Sequence, residues 1–145
     1  MMLGRILLVV IFTVSAVGTA VADLGFMHAS NEGWPPHAKL HAVWGVFHVL
    51  ATHTVGATLL LWQFTVTKAR IAVAILLSYT LSFFVAWMVA PQFGGALAPD
   101  IAAEKLEASQ RMGIDGNLLS FLVMVPLVLI GWWLCERAVP ARLSA

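Results

Sequence analysis

Five histidines occur in 145 residues, and all of them fall between positions 28 and 53. An imidazole can ligate a metal, carry a proton or hold a small molecule through a hydrogen bond. Spacing decides which of these the set can do together. Trp34-Pro35-Pro36 stiffens the approach, and proline is tolerated in a first helical turn because its missing N–H would be unpaired anyway, so a helix is expected from near Pro36. On that helix His37, His41, Trp44, His48, Thr52 and Val55 fall within an arc of about 80°, with His53 about 160° from His37. His37 and His41 lie about 6 Å apart along the axis, close enough to share one ion, whereas His48 lies about 10 Å deeper than His41.

Nitrogen and oxygen ligands without thiolate suit a divalent transition metal such as zinc, copper, iron or manganese. The pair His37 and His41 would need a further ligand, for which His28 and Glu32 in the preceding loop, or the carboxylates of the second outer loop, are the candidates. The same histidines are also comfortable as headgroup-level anchors, with one end wet. His48 is expected to contact a ligand or carry a proton, together with Trp44, Thr52 and Ser82. Its bland alternative is a hydrogen bond to Ser78, Tyr79 or Ser82. Cys135 is the only cysteine, which excludes an internal disulfide and any cysteine-built zinc or iron–sulfur site.

These groups must be positioned by helices in lipid. The chain is 61% hydrophobic and only 10% charged, against about 45–50% and about 25% for soluble domains. A net charge of +1 provides no field for nucleic acid. A spanning helix needs roughly 20 mostly apolar residues, and four segments qualify: 6–22, 40–62, 71–90 and 118–135. The expected fold is an all-α integral membrane protein, a single four-helix antiparallel bundle over 1–145. Segment 6–22 also reads as a signal peptide, because Ala20-Val21-Ala22 resembles a small-residue cleavage site after a charged and then an apolar region.

Orientation follows from Lys and Arg near the span ends. Arg5, Lys68, Arg70, Arg137 and Arg142 fall on one side, and Lys39, Lys105 and Arg111 on the other. Both termini are therefore expected in the cytoplasm, in an inner or plasma membrane. Six of the seven acids, all but Glu136, then lie outside. The outer loops 23–39 and 91–117 are long, as functional loops are. Within the second, Pro99-Asp100 predicts a short interfacial helix, apolar on Ile101, Ala102, Leu106, Ala108 and Met112 and polar opposite.

Two fragments resemble known families. His37-Ala38-Lys39-Leu40-His41 resembles the first histidine box of membrane di-iron desaturases and hydroxylases, but no adjacent His-His pair occurs, and that assignment is rejected. Gly45-Val46-Phe47-His48 and the bundle size are similar to the sterol-isomerase and emopamil-binding superfamily. The acid such proteins carry within the bundle is Thr52 here, and no membership follows.

The third span carries Ala74, Ser78, Ser82, Ala86 and Ala90 at every fourth position. Helices approach closely along such stripes, either inside one bundle or between copies in a homo-oligomer or larger membrane complex. Two functions remain: an outward-facing histidine and carboxylate site that binds a small molecule or metal, with catalysis open, or an accessory subunit of a larger complex.

Overall fold

The computed structural model describes residues 2–25, 28–95, 97 and 115–137. Four helices account for nearly all of them: α1 (Met2–Leu24), α2 (Pro36–Leu61), α3 (Val66–Val89) and α4 (Gly116–Glu136). All four are long and apolar enough to cross a membrane, and there is no strand among the described residues. Each helix begins earlier than the apolar span expected from the sequence and ends close to the expected boundary. The reason is that hydropathy locates the lipid boundary, while the backbone stays helical through the interface, carrying Lys68 and Arg70 in the opening turns of α3. The interfacial helix expected after Asp100 lies outside the described residues.

Local chemistry sets the ends. Pro36 opens α2 without a side-chain cap, consistent with its fixed φ and absent N–H. At the other end of α2 the orphan carbonyls meet cations: Arg5 donates to Leu61 O at 2.8 Å, and Lys68 Nζ donates to Trp62 O and Gln63 O at 2.9 and 3.1 Å. Thr65 caps α3 by accepting from the Lys68 N–H at 3.1 Å. A 3-10 turn, Ala90–Phe93, closes α3 and ends on Gly94 at φ +75°, a conformation that glycine adopts without steric cost. Asp115 caps α4, accepting from the Asn117 and Leu118 N–H groups. Pro126 interrupts α4, which its neighbours in a bundle tolerate.

The helices form a ring of four, with α1 and α3 each flanked by α2 and α4 and touching only slightly across the diagonal. Close approach is made possible by glycine. A Cβ on Gly4 would sit 2.6 Å from Gly131 O and 2.9 Å from Cys135 N, so α1 and α4 meet backbone to backbone. Gly56 of α2 receives the ring of Phe12 in the space a Cβ would fill. The dry core gathers Leu8, Phe12, Leu60, Ala72, Leu76 and Val128, with Cys135 buried among them. It occupies the half of the bundle nearer Arg5. At that end Arg70 grips Glu136 through two bonds, Nε to Oε1 at 2.6 Å and a terminal nitrogen to Oε2 at 2.9 Å, while Trp132 Nε1 donates to the same carboxylate. Large apolar side chains cover the outside, a surface suited to lipid.

Candidate ligand cavity

The half of the bundle nearer Asp23 is not filled. A cavity of about 500 Å³ opens there, walled by one face of each helix. Helical spacing explains which residues line it. On α1 they are Ser15, Thr19 and Asp23 with Gly18 and Ala22 between; on α3 Tyr79, Ser82, Phe83 and Ala86; on α4 Asn117, Ser120, Phe121 and Met124; and on α2 Gly45 and Val49. The void exists because small residues occupy its walls, and a Cβ on Gly18 or Gly45 would meet nothing within 4 Å.

Its floor is polar. Thr19 Oγ1 and Tyr79 Oη form a hydrogen bond across the bundle at 2.7 Å. Two hydroxyls sharing one such bond leave one O–H proton uncommitted. Beside it, Phe83 and Phe121 stack with centroids 4.1 Å apart and planes 11° from parallel, and Tyr79 tilts onto Phe121. Behind Tyr79 lies His53, 2% exposed, held edge-on between Phe12 and Tyr79 at centroid distances of 5.2 and 4.8 Å. Its Nδ1 has Thr52 Oγ1 at 3.5 Å, and its Nε2 is buried with no hydrogen-bond partner among the described residues. Leaving such a nitrogen unpaired costs about 1–3 kcal/mol. At the rim, His28 Nδ1 donates to the Ala22 carbonyl at 3.1 Å, lies 3.7 Å from the Asp23 carboxylate, and packs its ring edge-on against Trp34.

The residues expected from sequence divide sharply. Ser82 lines the cavity. His48 and Trp44 are exposed on the outside of the bundle, so the expected hydrogen bond from His48 to Ser78, Tyr79 or Ser82 is corrected: Tyr79 Oη bonds Thr19, and the two serines donate to carbonyls of their own helix. Thr52 donates to the His48 and Val49 carbonyls of its own helix and lies beside His53 Nδ1. The inward face of α2 is instead Val46, His53, Gly56 and Leu60. That helix is apolar nearly all round, and its inner face is chosen by Gly56 admitting Phe12 rather than by the polar stripe.

His37 and His41 do meet, Nε2 to Nε2 at 3.0 Å, but both are exposed. Glu32 is also exposed, and no cluster of three or more His, Cys, Asp or Glu residues placed to hold a metal occurs among the described residues. The stripe of Ala74, Ser78, Ser82 and Ala86 is exposed along α3 rather than packed between helices, and Ser82 and Ala86 border the cavity. Reading the sequence alone did not place Asp23 or Thr19 in a site, named Tyr79 only as a hydrogen-bond partner for His48, and set His53 off the polar stripe. The signals were present: Thr19 and Asp23 are four apart, and Tyr79 is the only tyrosine, placed within a span.

No family model, curated protein or solved structure matches this chain.

Proposed function

We propose that this chain is a small integral membrane protein that binds a small amphiphilic molecule in the cavity between its four helices, from the outer side of an inner or plasma membrane. The observation that carries the reading is the cavity itself, whose volume falls in the range of small-molecule sites, about 300–1,000 Å³, and whose walls set hydroxyls and a carboxylate among aromatic rings. The buried Nε2 of His53 behind Tyr79, without a hydrogen-bond partner among the described residues, adds support, because unsatisfied polar groups in a core call for a reason beyond packing. The bonds from Arg5 to the end of α2, and from Arg70 to the end of α4, support the antiparallel arrangement. Packing of Phe12 into Gly56 supports a first helix that stays with the bundle.

Filling the cavity is the direct test. Gly18→Leu/Gly45→Leu places two side chains into open space and removes two helix-weakening glycines, so the protein should fold at least as well as wild type. Calorimetric titration with phenylbutanol, in nanodiscs of neutral phosphatidylcholine, is expected to saturate for wild type. In the double variant the affinity should fall at least about tenfold, leaving only partition into lipid. Identical titrations would refute the reading.

A second reading, an accessory subunit or homo-oligomer, is favoured by His48. A polar side chain facing lipid deep in a span is costly and calls for a partner, and the exposed stripe on α3 offers a surface for one. One panel of single cysteines in a Cys135→Ala background tests this reading and the topology together. Ser30→Cys should be labelled by an impermeant maleimide from outside, and Thr67→Cys only after permeabilisation, if both termini are cytoplasmic as the Lys and Arg distribution indicates. Oxidative cross-linking of His48→Cys would establish the partnered state, and its failure in intact membranes would remove that second reading.

A further inference from the structure

We infer that the cavity is built for an amphiphile whose head is a protonated amine, an inference that rests on reading the cavity as a binding site. Hydrogen-bond donors are scarce on its walls. Ser15, Ser82 and Ser120 all line the cavity, and each spends its hydroxyl proton on its own helix, donating to Ile11 O at 2.6 Å, Tyr79 O at 2.8 Å and Gly116 O at 2.7 Å. What these serines have left for a ligand is lone pairs. Asp23 adds a carboxylate, which accepts only when ionised. Against these acceptors stand one uncommitted proton of the Thr19–Tyr79 pair and the side-chain amide of Asn117. The walls are therefore short of donors and require a ligand that brings several, as an ammonium group does.

Charge points the same way. Among the described residues, Asp23 is the one acid on the walls, and no Lys, Arg or His lines them. Its carboxylate is 37% exposed, reachable at the rim, with His28 3.7 Å away on the loop side. Asp115, the acid at the start of α4, is occupied in capping its own helix. A phosphate or carboxylate head would meet Asp23 with no Lys, Arg or His on the walls to offset it. An ammonium would meet a carboxylate and, deeper, a wall of the aromatic residues Tyr79, Phe83 and Phe121, a residue type that attracts cations. The apolar body of such a ligand fits the remaining wall of Val14, Val49 and Met124.

Three probes with one apolar body separate charge from fit: phenylbutylamine, phenylbutanol and phenylbutanoate, titrated at neutral pH into the protein in neutral phosphatidylcholine nanodiscs. Partition into lipid is subtracted with nanodiscs carrying Gly18→Leu/Gly45→Leu. Wild type is expected to bind the amine about two- to fivefold tighter than the alcohol, the range for a partly exposed ion pair, and the carboxylate weakest of the three. In Asp23→Asn the preference for the amine should collapse to parity. A ratio between probes within one variant does not depend on how much of it folds. Equal binding of amine and alcohol by wild type, or an amine preference that survives in Asp23→Asn, overturns the inference while leaving the cavity a binding site. If none of the three probes saturates in wild type, the cavity reading falls and this inference with it.

Discussion

Gly4→Ala is expected to be the most damaging single substitution in this protein. The added methyl would lie 2.6 Å from Gly131 O, 2.8 Å from Leu134 Cβ and 2.9 Å from Cys135 N. Two of these neighbours are backbone atoms of α4, which cannot rotate away, so the helices must separate along the seam that buries Leu8 and Val128. Attraction between membrane helices depends on close packing rather than on water exclusion, so the attraction forfeited when the helices part is not recovered elsewhere. Overpacking a core costs about 1–3 kcal/mol and occasionally more; with backbone as the obstacle, about 3 kcal/mol is expected. At about 2–4 °C per kcal/mol for a chain of this size, the melting point in detergent should fall by about 6–12 °C. Gly131→Ala provides the contrast, because its Cβ would meet Leu8 Cγ and Cδ2 at 2.8 Å, a buried side chain that can shift its rotamer where backbone cannot. It should lose less than half as much. Equal melting of Gly4→Ala and wild type would show that the first turn of α1 yields freely and that the seam does not hold the bundle.

Gly56→Ala is expected to come second, and its effect should be specific to one ring. The new Cβ would overlap Phe12 at Cζ and Cε1, and Phe12 is 1% exposed, with the His53 ring packed edge-on at 5.2 Å. The ring has nowhere to go without displacing His53 and, behind it, Tyr79 at the cavity floor. A loss of about 1–3 kcal/mol is expected, read as about 2–12 °C in melting point. Phe12→Leu should relieve the clash, so that the double variant Phe12→Leu/Gly56→Ala melts well above the sum of the two single losses, with a coupling of about 0.5–3 kcal/mol. Strict additivity would mean that Phe12 and Gly56 do not pack as described.

The all-helical class, the four helices long and apolar enough to cross a membrane and their approximate bounds were legible in the sequence, because apolar length alone decides whether a helix can cross lipid. The start of α2 at Pro36 was legible too, since proline chemistry acts locally. So was the His37 and His41 pairing, which follows from one helical turn. What the sequence misplaced was the direction in which α2 faces. In water a polar stripe would have marked the outside and an apolar stripe the core. In lipid both surroundings are apolar, and the inward side is chosen by where neighbouring backbones can approach. That choice depends on partners distant in the chain: Phe12 entering Gly56, Gly4 against Gly131, Thr19 reaching Tyr79. It turned His53 inward and His48 outward, left the stripe on α3 exposed, and opened a cavity where Gly18 and Gly45 leave the walls unfilled. Residue type and spacing along one helix determined what each side chain could do; only the packing of four helices decided which of them share a space.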